Sequence, residues 1–252
     1  VATDQRSQST DERRTGRRVA AVLVVVALCG AGWILLTPRL GEPIRHRYRN
    51  RNNLQLISLA LINYSATDNG WMPPAVVTDT SGRPLYSWRV LILPYLEYDD
   101  LYKEFHLDEP WDSPYNIQLL KRMPKEYARP GDPAAAEFHT CYRVFTGEAA
   151  PFPLPGPWQG ETPPKGRRLP RDFPDGTSKT LFIVEAADAV PWTKPDELVY
   201  DPDKPLPKLG RSPEGDFQVS LMDGSVRTLP KNTSEKTLRA YITRNGHEQV
   251  EE

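Results

Sequence analysis

The chain has 252 residues, with 32 Lys+Arg against 33 Asp+Glu and a formal net charge of -1, which leaves room for one or two domains and excludes the strongly basic field of a nucleic-acid binder. Its 26 prolines are about twice the usual ~5% share; proline removes a backbone donor and breaks helix interiors, so a mainly helical protein is excluded and long extended loops are expected. Cys29 lies in an apolar run and Cys141 far downstream, so no disulfide between them is expected.

Residues 1–18 are polar and rich in arginine; with almost no large apolar side chains they read as a disordered tail. Val19 to Leu36, VAAVLVVVALCGAGWILL, carries no charge and is bracketed by Arg17, Arg18 and Arg39, with Trp33 near one end. A bilayer core of ~30 Å needs about 20 helical residues, with ~17 as a lower bound, so 19–36 is predicted to be a transmembrane helix. Arginines flank it almost equally on both sides, so the positive-inside rule does not set the orientation. A short tail before the span and a long domain after it place 1–18 in the cytoplasm and residues 37–252 in the periplasm.

Pro38 and Pro43 punctuate the exit from the span. A helix is then predicted from Asn50 to Asp68, because Leu54, Ile57, Leu61 and Tyr64 fall on one face. Leu56, Leu59, Ala60 and Ile62 widen that stripe, which predicts a helix buried over most of its surface. Asn69-Gly70 supplies the left-handed cap, and Trp71-Met72-Pro73-Pro74 forces an extended exit.

These residues resemble a known group. A membrane helix running into ALINYSATDNGWMPPA is similar to the N-terminal half of type IV pilins and type II secretion pseudopilins, with Ala60, Leu61, Tyr64, Gly70 and Pro73 matching. The chain more closely resembles the DUF1559 family, prepilin-like proteins of planctomycetes. That likeness runs through Asn53-Leu54, SWRVLILPYLE (Ser87 to Glu97), Leu101-Tyr102, DEPWDSPYN (Asp108 to Asn116), Asp175 to Thr180, Glu185 and DGSVR (Asp223 to Arg227). It implies an amphipathic helix packed on an antiparallel sheet. The prepilin peptidase signal is missing, since Arg17-Arg18-Val19-Ala20 lacks its Gly, Phe and Glu, and Pro213 stands where members often carry a His. The resemblance therefore does not extend to peptidase processing.

Further elements follow from local pattern. Ser87 to Leu93 and Tyr98 to Phe105 read as short helices, and Ser113-Pro114 as the cap and first residue of a third. Phe138 to Phe145 and Thr180 to Ala186 read as strands. Asp223-Gly224 predicts a two-residue type I′ hairpin turn, pairing Leu221 with Val226 and Val219 with Thr228. A last helix is expected from Ser234 to Arg244, closed by Asn245-Gly246. The Pro-rich stretches 149–170 and 191–213 read as surface loops.

Sites of chemistry are sparse. The histidines His46, His106, His139 and His247 lack metal spacing, and no nucleophile elbow or phosphate loop occurs. Calcium takes several oxygens, and its candidate ligands are Asp108, Glu109 and Asp112, or Glu185 and Asp188. Trp158 and Trp192, set in Pro-rich loops, are the candidates for a contact surface. Asp223 and Gly224 are assigned a structural turn.

The sequence thus predicts an α+β fold: an N-terminal transmembrane helix continuing into an amphipathic helix packed on an antiparallel sheet, pilin-like, with Pro-rich insertions. The expected function is that of a non-catalytic, pseudopilin-like structural or interaction protein of the cell envelope, anchored in the inner membrane through 19–36. Its expected partners are the bilayer and other envelope proteins or like subunits, with no nucleic acid and no required cofactor. The alternative is an anchored periplasmic module that binds a solute, glycan or peptide; a real apolar pocket with convergent polar groups would favour it.

Overall fold

A computed structural model of the chain describes residues 41–157, 164–211 and 215–246. The predicted tail (1–18) and membrane span (19–36) lie outside those residues. Among the described residues, no helix is long and apolar enough to cross a membrane. The chain divides into two compact units, residues 1–48 and residues 49–252. The described part of the first, residues 41–48, is helical; Glu42 pairs there with Arg45 at 3.4 Å and His46 at 3.2 Å.

The second unit is an α+β fold. It opens on a helix, α1 (residues 49–67). The 3.6-residue period places Leu54, Ile57 and Leu61 in the core with no exposed surface, each burial stabilising by about 1.5–3 kcal/mol. Leu56 and Leu59, expected to widen the buried stripe, remain 38% and 53% exposed; the contact face of α1 is narrower than predicted. The helix ends as its residues dictate. Asn69 and Gly70 both take positive φ, 53° and 88°, and the Gly70 N–H donates back to the Ser65 carbonyl at 2.8 Å, closing the last turn.

An antiparallel pair follows, β1 (Val76–Thr78) and β2 (Pro84–Ser87). Ser87 then caps a single helical turn, α2 (Trp88–Leu91), and Pro94 turns the chain into a 3-10 segment, Leu93–Leu96, before α3 (Asp99–Glu104). The predicted helix after Ser113-Pro114 forms as a 3-10 helix, Asn116–Arg122, with the Ser113 hydroxyl accepting from the Asn116 N–H at 3.1 Å.

The main sheet has four antiparallel strands in the order β3-β5-β7-β8: β3 (His139–Arg143), β5 (Leu181–Pro191), β7 (Phe217–Leu221) and β8 (Val226–Leu229). A short parallel pair, β4 (Phe145–Thr146) with β6 (Leu198–Val199), stands apart. Two apolar clusters form the core. One gathers Leu54, Ile57 and Leu61 of α1 with Tyr142, Phe182, Ile183 and Trp192. The other gathers Leu181, Val184, Val219 and Leu221 with Tyr241 and Ile242 of α4 (Glu235–Ile242). Strict alternation fails in β5, where Phe182 and Ile183 share a cluster, because the register shifts between Leu181 and Ile183.

The hairpin at Asp223-Gly224 forms, with its register displaced by one from the prediction. Ser220 pairs with Val226 and Val219 with Arg227. A type I′ turn needs positive φ at both central residues; Gly224 has it, at 84°, and Asp223 does not. The loop is instead three residues, Met222 to Gly224, closed by the Gly224 N–H to the Leu221 carbonyl and the Leu221 N–H to the Ser225 carbonyl, each 2.8 Å. A turn followed by a left-handed glycine is the usual three-residue solution. The last helix ends at Thr243, whose extended backbone stops it before Asn245-Gly246.

Two buried polar junctions tie distant segments together. The Arg89 guanidinium and the Glu197 carboxylate meet at 2.8 Å with 0% and 1% of their side chains exposed. Glu197 also accepts from the Trp88 indole N–H at 3.1 Å and the Val144 N–H at 2.9 Å. In the second junction Glu185 accepts from Asn50 of α1 and from Arg129, the latter at 3.0 Å. Asn50 donates also to Gln218 at 2.6 Å and accepts from the Tyr142 hydroxyl. Pairing offsets part of the cost of burial; at Glu197 burial still outweighs Arg89 and pushes the carboxyl up.

Candidate functional site: an apolar cleft with a tyrosine and carboxylate rim

The end of α1, the β1–β2 pair and the strap at residues 164–169 enclose a cleft of about 600 Å³. That volume lies within the range of small-molecule sites, ~300–1,000 Å³. Its walls are apolar: Val77 from β1, Leu85 from β2, Leu91 from α2, and Leu107 after α3, with Pro74 and Pro164 at the edges. Tyr64 in the last turn of α1 and Asp68 just past its end, whose N–H donates to the Tyr64 carbonyl at 3.1 Å, line the same cleft. Tyr86 enters from β2, and Asp79, Asp108 and Lys165 complete the polar rim.

The strap is held by backbone bonds and by the side chains of Lys165, Arg167 and Arg168. The Met72 N–H donates to the Arg167 carbonyl at 3.0 Å, Gly166 to Met72 at 2.9 Å and Leu169 to Gly70 at 2.7 Å. A side chain at Gly166 would sit 2.5 Å from the Pro73 carbonyl oxygen, so only glycine allows this approach. The strap brings Lys165 to Asp68, with Nζ 2.7 and 2.9 Å from the two carboxylate oxygens.

The rim carboxylates differ in how fully they are engaged. Asp79 accepts from the Ser81 hydroxyl at 2.6 Å and from the Ser81 and Arg83 N–H groups, each at 2.9 Å. Those bonds, with the Arg83 charge, hold its carboxyl below the usual range. Asp68 is matched by Lys165. Asp108 is exposed and makes no ion pair or hydrogen bond among the described residues. The phenols are neutral near pH 7: burial, then the Asp68 charge, pushes Tyr64 up to about 12, and burial with Tyr102, Tyr64 and Asp108 nearby pushes Tyr86 up further.

Of the residues predicted from sequence, Trp158 lies outside the described residues. Trp192 is corrected: it is fully buried, its indole N–H donating to the Leu120 carbonyl at 2.9 Å. Its ring stacks on Tyr127 at 5.7 Å and meets Phe105 edge-on at 5.9 Å. It anchors the core and offers no contact surface. Asp223 and Gly224 form the hairpin loop, where the Asp223 carboxylate accepts from the Ser225 N–H at 2.9 Å. The carboxylates named for calcium do not assemble. Glu185 is bound to Asn50 and Arg129, and Glu109 faces His106 at 3.1 Å. Among the described residues, no three His, Cys, Asp or Glu side chains gather as a metal site.

Fold and cleft together define an α+β domain, an antiparallel sheet with helices, carrying a solvent-open apolar cleft with tyrosines in its lining. A family described as "Protein of unknown function (DUF1559)" matches residues 47–215, and the chain belongs to that family. No curated protein and no solved structure matches it.

Proposed function

We propose that the chain is a non-catalytic binding protein of the cell envelope, anchored through residues 19–36, whose periplasmic domain takes a small organic ligand or side chain into the cleft. The observation that carries this reading is the cleft itself: about 600 Å³, walled by Val77, Leu85, Leu91 and Leu107, with a few polar side chains, Tyr64 and Tyr86 among them, in the lining. Apolar walls supply affinity and a few placed polar groups supply orientation. The uncharged run from Val19 to Leu36 supports the anchor.

The test is a titration of the full-length chain in phosphatidylcholine nanodiscs with a neutral apolar probe, 2-naphthylmethanol. Leu107→Trp, which fills the cleft from its wall, is the control. Saturable binding lost in Leu107→Trp supports the reading. Binding that is absent, or equal in both proteins, removes it. Protease protection of a C-terminal tag in spheroplasts tests the orientation: the account expects digestion from outside, and a protected tag inverts it.

A second reading, an interaction subunit packed against like copies, rests on Leu56 and Leu59, left exposed on α1. Leu59→Cys would then cross-link chain to chain in native membranes; a cross-link-free variant sinks that reading without touching the first.

A further inference from the structure

We infer that the cleft selects a protonated amine borne on an apolar body, through the phenols of Tyr64 and Tyr86 and the carboxylate of Asp108. This rests on the binding reading above and names the class of ligand it takes.

The first support is a polar group without a partner. Tyr86 is 4% exposed, yet its hydroxyl makes no hydrogen bond among the described residues. Tyrosine hydroxyls usually find a partner in the protein; this one lines the cleft, where solvent or a ligand is left to satisfy it. The neighbouring tyrosines contrast with it: Tyr98 donates to Glu126 at 3.0 Å and Tyr127 to the Arg89 carbonyl at 2.8 Å. The Tyr64 hydroxyl, on the same cleft, is likewise without a bond among the described residues. Two phenols on one cleft thus have no bond among the described residues, and each oxygen is able to accept from a ligand's N–H.

The second support is charge. Carboxylates outnumber cations among the lining side chains by three to one. The one cation, Lys165, is already matched to Asp68, and Asp79 is held within its own turn by Ser81 and Arg83. Asp108 is left with no cation among the described residues, and it lines the same cleft as Tyr86, near enough for its charge to oppose ionisation of that phenol. An anionic ligand would meet this carboxylate with no free cation in the lining. A protonated amine would meet it with phenol oxygens to accept its N–H groups and aromatic faces that attract a cation.

The experiment compares three probes with one ring system: 2-naphthylmethylamine, 2-naphthylmethanol and 2-naphthoate, titrated at pH 7 into the full-length chain in phosphatidylcholine nanodiscs. The expected order is amine, alcohol, carboxylate, with the amine about tenfold tighter than the alcohol. Asp108→Asn, at an exposed residue, is expected to reduce the amine's advantage over the alcohol about threefold. Alcohol binding that equals or exceeds amine binding, or tighter carboxylate binding, overturns this inference and leaves the cleft reading standing. Failure of all three probes removes both.

Discussion

Replacing Glu197 with Leu keeps the side-chain volume close to the original while removing every acceptor the carboxylate offers. The Arg89 guanidinium, with none of its side chain exposed, would lose its counter-charge at 2.8 Å. The Trp88 indole N–H and the Val144 N–H would lose acceptors at 3.1 and 2.9 Å. Each stranded neutral donor costs about 1–3 kcal/mol, and breaking a buried ion pair from one side costs about 3–5 kcal/mol. Arg89 keeps its bond to the Tyr142 carbonyl at 3.1 Å, which places the expected loss inside that range rather than above it. For a domain of this size the loss corresponds to a fall in Tm of about 10 °C. Guanidinium unfolding, followed by tryptophan fluorescence, reads it. Arg89→Met combined with Glu197→Leu should lose less than Glu197→Leu alone, because no buried charge is then unpaired. A Glu197→Leu loss below about 1 kcal/mol, or a double variant worse than the single, would refute the argument that this pair is held by mutual burial.

Three further outcomes are expected. Tyr127→Phe, which removes the buried bond to the Arg89 carbonyl, should cost about 1–2 kcal/mol, whereas Tyr86→Phe should change stability by less than about 0.5 kcal/mol; equilibrium unfolding of both variants separates them. Burial raises the Asp132 carboxyl, but the Arg211 bond, the Ala134 N–H and the Arg211 charge outweigh it and set its pKa below the ordinary 3.8. A depressed folded pKa gives stability that is complete above the unfolded value and lost as pH falls through the folded one, so Asp132→Asn should flatten the acid limb of a stability profile below about pH 4; an unchanged limb sinks that assignment. Gly166→Ala should destabilise by about 1–3 kcal/mol and raise protease cutting within the strap, since its Cβ meets the Pro73 carbonyl oxygen at 2.5 Å; full stability with an intact strap would contradict the close approach.

What the sequence made readable was local. Leu54, Ile57 and Leu61 report their helix face because the period is intrinsic to the helix, and Ser87, Ser113 and Ser234 mark the starts of helical segments because capping is a matter of a few residues. The hairpin was readable but its register was not, since Asp-Gly serves both a two-residue turn and a three-residue loop, and only the sign of φ at Asp223 separates them. Leu56 and Leu59 show the limit of apolar patterning: what covers a helix face depends on tertiary neighbours. Trp192 misled because a proline-rich setting reads as surface, while its ring closes the core against Tyr127 and Phe105. The Arg89–Glu197 pair spans 108 positions and carries no local pattern. The cleft is of the same kind, with Asp68 and Lys165 meeting across 97 positions; its signal lay in Tyr64 and Tyr86, which no periodicity distinguishes from core tyrosines.

The central claim is that the cleft between α1, the β1–β2 pair and the strap is a binding site. The most direct measurement is intermolecular NOE spectroscopy on the full-length, methyl-labelled chain with 2-naphthylmethanol. The account predicts contacts from the naphthyl ring to the methyl groups of Val77, Leu85, Leu91 and Leu107, absent when Leu107 is replaced by Trp. NOEs confined to methyl groups elsewhere in the chain, or none at saturating probe, would contradict it.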